Sequence, residues 1–423
     1  MQQCCGPSRR EFFTNSLGGL LTASLPWWQQ SAAFAARAHG KAAESKSCIL
    51  LWMNGGPSHL DTFDPKLGTP NGGSFKTIKS SVRGLDLCEH LPRVAEQAHH
   101  LAVIRSMTSR EGNHDRGSYL MHTGYAPSAT IQHPSFGAWV SHELGDPQFD
   151  LPNFVSIRGP SIGAGFLGVE HSPFQIQEPA QGIKNLALAR DVDGSRFSSR
   201  LEALDILQRN FRQQTNAVAV ANHDRINDKS VRLMRSPLVK AFDLNAESST
   251  TRARYGDTEF GKGCLLARRL IETGVKFVEV TLDGWDTHYD NFTAVKGLCQ
   301  ELDPGYAALI RDLAERKLLD DTLVIWMGEF GRTPKISQHD GRDHYPQAWS
   351  AVLAGGGVRA GQVYGETDAE GAKVTKDQVT VPNFFATLAT LLHIDPTREL
   401  MSPVGRPISI SEAGQPVRGL IAG

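Results

Sequence analysis

Along this chain, unbroken apolar runs alternate with segments whose apolar residues recur every three to four positions. CILLWM at Cys48–Met53, VKFVEVTL at Val275–Leu282, DTLVIWM at Asp321–Met327 and AWSAVLAGG at Ala348–Gly356 are runs of the first kind. The first three close on NGGPS, DGWDTH and GEFGRT. Continuous rather than alternating hydrophobicity predicts strands covered on both faces. A helical pattern precedes several strands: LPRVAEQAHHL before Ala102–Ser106, GCLLARRLIETG before Val275, and GYAALIRDLAERKLL before Asp321. In the last, Leu309, Ile310, Leu313, Leu318 and Leu319 mark one face of an amphipathic helix. Helix alternating with buried strand predicts an α/β fold with a doubly wound, mainly parallel sheet. The stretch from about 159 to 257 departs from this pattern. After the glycine-rich RGPSIGAGFLG it offers long polar helices such as SSRLEALDILQRNFRQQ with no strand between them, and predicts a helical insertion capping the sheet.

Composition narrows the class. With 44 basic and 45 acidic side chains in 423 residues the net charge is −1, which argues against nucleic acid or an anionic membrane as partner. At 40% hydrophobic and 21% charged residues the chain can bury a large core, and one domain over residues 45–423 is expected. The N-terminus carries consecutive arginines in SRREFF, then LGGLLTASLPWW, then small-residue sites AFA and ARA ending at Ala35 and Ala38. That order of charged, apolar and small residues predicts a twin-arginine export signal over residues 1–38, and hence a protein of the periplasm or cell envelope. Pro26 and two glutamines interrupt the apolar segment, which falls short of the ~20 residues of a bilayer span, so no transmembrane segment is expected in the mature form. Proteins on this route cross already folded, often with a metal loaded. Cys4 and Cys5 fall in the signal; Cys48, Cys88, Cys264 and Cys299 remain, match no metal-binding spacing, and are expected as buried free thiols.

Ligands of open α/β sheets bind beyond the carboxyl ends of the strands, and the polar residues concentrate there. Asn54, His59 and Asp61 follow the first strand, Asp286 and His288 follow Leu282, and Glu329 and Arg332 follow Met327. The loop QHDGRDHY adds Arg342, Asp343 and His344. Carboxylates and imidazoles from several loops are what a divalent cation needs. Mixed oxygen and nitrogen donors suit zinc or manganese, and oxygen donors suit magnesium or calcium. Arg332 and Arg342 are candidate anion binders, with a salt bridge to Glu329 or Asp343 as the alternative. The run AGGGVRAGQVYG lacks dinucleotide-binding spacing and is expected as a hairpin or loop.

LLWMNGGPSHLDTFDPK, CLLARRLIETGVKFVEV, GWDTHYDNF, MGEFGRTP and GRDHYPQAWSAVLAGGG together resemble the bacterial twin-arginine-exported family called domain of unknown function 1501, from Cys48 to about Pro407. The resemblance implies a fold akin to the sulfatases and alkaline phosphatases, a parallel sheet carrying a metal cluster and a nucleophile. HDRGSYLMHTG has the length and Thr-Gly ending of the sulfatase nucleophile motif, and His114 stands in the nucleophile's place. By the same comparison Asp286, His288 and His344 are the retained ligands of one metal site. Asn54, His114 and Phe330 are altered positions of the other site and the nucleophile; Glu329 and Asn54, with Asp61 or His59, would have to hold any second cation. Two functions stay open. One is a metal-dependent hydrolase of phosphate or sulfate esters, with His114 as base or nucleophile and Arg332 or Arg342 holding a small anionic ester or a sulfated or phosphorylated glycan. The other is a non-catalytic, metal-containing protein that binds an anionic glycan or a protein partner.

Overall fold

The computed structural model describes residues 46–184, 186–215 and 218–423; the export signal expected at 1–38 lies outside the described residues. Nine strands form the central sheet, numbered here in chain order. They are β1 (Ser47–Asn54), β2 (Leu101–Thr108), β3 (Phe154–Ile157), β4 (Phe174–Ile176), β5 (Phe277–Asp283), β6 (Thr322–Met327), β7 (Trp349–Ala354), β8 (Gln362–Tyr364) and β9 (Val379–Thr380). Their spatial order is β8-β2-β7-β6-β1-β5-β3-β4, with β9 also paired to β2. β7 runs antiparallel to both its neighbours, and every other pairing in the sheet is parallel.

Nine helices accompany the sheet among the described residues: α1 (Pro92–Glu96), α2 (His114–Thr123), α3 (Phe136–Leu144), α4 (Gly194–Thr215), α5 (Val218–Arg235), α6 (Ser249–Tyr255), α7 (Glu259–Thr273), α8 (Asn291–Glu315) and α9 (Val381–Leu391). Side chains of a strand alternate between faces, so a continuously apolar strand feeds two cores. From β1, Ile49, Leu51 and Met53 join one core with α7 and α8. Cys48, Leu50 and Trp52 join the other with α2, α3 and α9. This is the doubly wound, mainly parallel α/β architecture that the hydrophobic pattern predicts.

Three local features go beyond the pattern. Within 159–257 the chain forms α4 and α5 but also contributes β4, which pairs with β3 at the sheet edge. A three-residue strand leaves too short an apolar run to register in sequence. The glycine run after β7 takes the loop form, one of the two expected, rather than the hairpin: Gly355, Gly356 and Gly357 take φ of 65°, 55° and 90°, and the chain then crosses to lay β8 parallel to β2. Finally, α8 starts fourteen residues before Gly305 and runs through Pro304. Cys299, Leu302, Tyr306 and Leu309 keep one buried face across the proline, and that packing overrides the lost backbone hydrogen bond. Cys48, Cys88, Cys264 and Cys299 are free and buried. Among the described residues no helix is long and apolar enough to cross a membrane.

Candidate metal centre

The carboxyl ends of β1, β5 and β6 bring three loops together, and α2 and the segment before β7 close the ring. Gly55 and Gly56 follow β1 with φ of 113° and 79°, and a Cβ on Gly55 would lie 2.4 Å from the Asp286 backbone nitrogen. Only glycine lets the first loop lie against the second there. On the β5 side, Gly284 takes φ of 105° and Trp285 is fully buried, so the turn is anchored just before Asp286. Arg332 and His344 face each other across a two-residue antiparallel ribbon, Gly331–Arg332 against His344–Tyr345. His114 opens α2, whose first turn is capped by the Asn113 side chain, 3.2 Å from the Arg116 amide that donates to it.

Asp286 is the hub of the cluster. Its Oδ1 lies 3.2 Å from His114 Nε2, 3.1 Å from His288 Nε2 and 3.3 Å from His344 Nε2. His288 Nε2 and His344 Nε2 stand 3.0 Å apart. His114, Asp286 and His344 offer ligand atoms all within 4.8 Å of one another. Ligands on a tetrahedral zinc, at bonds of about 2.0–2.1 Å, are themselves about 3.3 Å apart, so these spacings fit a shared cation.

The outer nitrogens settle the tautomers. His114 Nδ1 is 2.6 Å from Glu329 Oε1, His288 Nδ1 is 2.8 Å from Asp343 Oδ1, and His344 Nδ1 is 2.8 Å from the Gly112 carbonyl oxygen. Carboxylate and carbonyl oxygens only accept, so each Nδ1 carries the donated proton. In the neutral imidazoles all three Nε2 lone pairs then face the Asp286 carboxylate, and those of His288 and His344 also face each other. Such convergence of acceptors is repulsive without a cation or a proton between them, and it is the outer-shell arrangement that orients histidine toward a metal. His114 Nε2 is buried without a hydrogen-bond partner.

Electrostatics follow from this packing. Burial opposes ionisation of Asp286, but the Arg332 hydrogen bond and charge, with His114 and His288, outweigh it and hold the carboxyl at about 2. The hydrogen bond that His114 donates to Glu329 raises the imidazole above its ordinary range, against burial. Burial chiefly lowers that of His344. Arg332 is fully buried and donates to the carbonyl oxygens of Gly55, Gly56 and Arg342 and to Asp286. Phe330, also fully buried, packs its ring against the imidazoles of His114 and His344, with centroids 5.1 and 4.8 Å away.

Of the residues singled out in sequence, the structure gathers His114, Asp286, His288, His344, Glu329 and Arg332. It does not gather four others. Asn54 turns to the outer end of β1, where its amide donates to Asp283 at 2.9 Å. Asp61 is fully buried and accepts two hydrogen bonds from Arg342, at 2.7 and 3.1 Å, and one from Asn291. Arg342 is therefore no free anion binder: its remaining donors serve the carbonyls of Asn71, Thr333 and Pro334. His59 is buried, with Nε2 2.8 Å from the Gly371 carbonyl. Three of the four tie the β1 loop to neighbouring loops, a need for pairing that burial imposes and residue type does not reveal. Glu329 stands behind His114 rather than at the centre, held by the Gly55 amide at 2.9 Å. The Gly112 carbonyl was invisible in sequence, since any residue carries one.

Fold and site together define an α/β protein with three imidazoles and a carboxylate converging at the carboxyl edge of a doubly wound sheet. The chain belongs to the family described as protein of unknown function DUF1501, whose model matches residues 45–421. No curated protein matches it in sequence. Among solved structures it is similar to a sulfatase from Pseudoalteromonas sp., with 12% identity over 88% of this chain and 72% of that one and a TM-score of 0.41. A protein in the alkaline phosphatase superfamily from Vibrio parahaemolyticus is similar at 11% identity over 89% and 70%, with a TM-score of 0.38. A phosphonate monoester hydrolase from Silicibacter pomeroyi gives 11% identity over 89% and 76%, also at 0.38.

Proposed function

We propose that the protein is an exported, metal-dependent hydrolase of phosphate or sulfate esters, acting in the periplasm or cell envelope. The observation that carries this reading is the set of three Nδ1-anchored imidazoles whose Nε2 atoms meet at Asp286 Oδ1. Asp286, His288, His344 and His114 would hold the cation, and a nitrogen-rich donor set of this kind favours zinc or manganese over calcium or magnesium. When bound, such a cation supplies a water whose pKa is lowered toward ~7.

The protein's own groups divide the remaining work. Glu329 and Asp343 fix the orientation of His114 and His288, and Arg332 holds Asp286 ionised while its other donors brace the β1 loop. Phe330 packs against one side of the imidazole pair. His114 occupies the place of a covalent nucleophile, yet one nitrogen is bound to Glu329 and the other faces Asp286. This supports a ligand role for His114 and direct attack of water on the ester, without a covalent intermediate.

The test is metal analysis of the folded, exported protein with a panel of aryl phosphate and sulfate esters, on wild type and His288→Ala. Expected are about one equivalent of cation and turnover in the wild type, with both reduced in the variant. Bound metal without turnover on any ester would replace the hydrolase by a non-catalytic, metal-containing binding protein, and no bound metal would remove the site altogether.

A further inference from the structure

Arg332 and Arg342 are fully occupied within the protein, so neither is free to hold an anionic part of a substrate. An open cleft of about 850 Å³ lies along the same carboxyl edge, lined by residues at the ends of β2 and β9 and by Gln347 ahead of β7. Its rim is continuous with the cluster. Ser109, in the cleft wall, donates its amide to the Pro346 carbonyl at 2.8 Å, and Gly112, just past the lining Glu111, accepts from His344.

Arg110 and Lys373 line this cleft, both exposed, and among the described residues neither forms an ion pair. The wall's two carboxylates differ. Glu111 is neutralised by a two-pronged contact with Arg116, at 2.6 and 2.7 Å, whereas Glu412 has no ion-pair partner among the described residues. The wall also presents hydroxyls and amides, Thr108 and Gln378 among them, which already hydrogen-bond each other at 2.8 Å. Unpaired cations beside hydroxyl and amide groups suit a ligand that is both anionic and rich in hydroxyls. Glu412 can accept from such hydroxyls.

We infer that this cleft binds the non-reacting body of the substrate, a hydroxyl-rich ester bearing a second tetrahedral oxyanion away from the one at the metal centre, with Arg110 and Lys373 holding that second group. The inference rests on the ester-hydrolase reading for the scissile group, but the cleft itself can be probed without turnover. Calorimetry on the chelator-treated and the metal-loaded protein would compare glucose 1,6-bisphosphate with glucose 6-phosphate, and a disulfated with a monosulfated disaccharide. The member of one pair that carries two anionic groups should bind more tightly, its affinity should fall about fivefold in Arg110→Ala and again in Lys373→Ala, and the salt dependence should weaken with each. Arg254→Ala, an exposed cation paired with Glu315 outside the cleft, should keep the preference. Equal affinity within both pairs, or a preference untouched by both cleft variants, overturns the inference. A preference that survives in a protein hydrolysing no ester keeps the cleft and refutes the hydrolase; turnover without the preference refutes the cleft alone.

Discussion

Arg332→Met is the sharpest probe of how the centre is braced. The guanidinium is fully buried, and removing it leaves the carbonyls of Gly55, Gly56 and Arg342 without their donor. At about 1 kcal/mol for each buried acceptor left unmet, that loss is about 3 kcal/mol. Asp286 loses its main partner as well. The depression of its carboxyl from 3.8 to about 2 corresponds to about 2.4 kcal/mol. The side chain is 45% exposed, and solvent screening reduces this to about 1 kcal/mol. The expected loss is the sum, about 4 kcal/mol. Urea unfolding of chelator-treated wild type and variant at neutral pH measures it directly, free of any contribution from bound metal. Because the folded-state pKa of Asp286 is depressed, its share is present above 3.8 and is lost as the pH falls toward 2. The difference between the two proteins should therefore shrink by about 1 kcal/mol across that window. A neutral-pH loss below about 1 kcal/mol, or a difference that widens in acid, would refute the reasoning. Should Arg332→Met fail to fold, Arg332→Lys, which keeps the charge but not the fork, should show roughly half the loss.

Two further outcomes follow from the same contacts. Glu329→Gln keeps the shape behind His114 but removes the carboxylate that orients it, so cation affinity should drop about 10- to 100-fold by competition with a chromogenic chelator, with little change in the secondary-structure spectrum. Asp61→Asn strands the buried Arg342 charge and should cost about 3–5 kcal/mol in urea unfolding. In metal analysis the folded variant should match the wild type; a lower metal content in the variant would refute the separation of Asp61 from the proposed metal centre.

The strands at Cys48, Val275, Asp321 and Ala348 were legible because burial on both faces demands unbroken apolar runs, and such runs survive in the sequence. The short edge strands β4, β8 and β9 were not, since two or three residues hold no period and their pairing depends on a neighbour already in place. The site divides in the same way. Asp286, His288 and His344 sit on loops after or before strong strands, and topology alone sends those loops to one sheet edge. His59 and Asp61, on the loop after β1, and Arg342, two residues before His344, reach the same sheet edge with the same chemistry, and their burial against Gly371, Asn291 and one another separates them from the cluster.

By itself, then, the amino-acid pattern determined the doubly wound α/β layering and the edge at which polar chemistry gathers, because local hydrophobic period is a property of the chain. The tertiary structure alone decided that β7 runs against its neighbours, that Arg342 belongs to Asp61, and that the outer nitrogens of three histidines are tied down. Those outcomes depend on partners up to 281 residues apart in the chain. A side chain's role is set by which acceptor lies within 3 Å of it, a distance that no spacing along the sequence encodes.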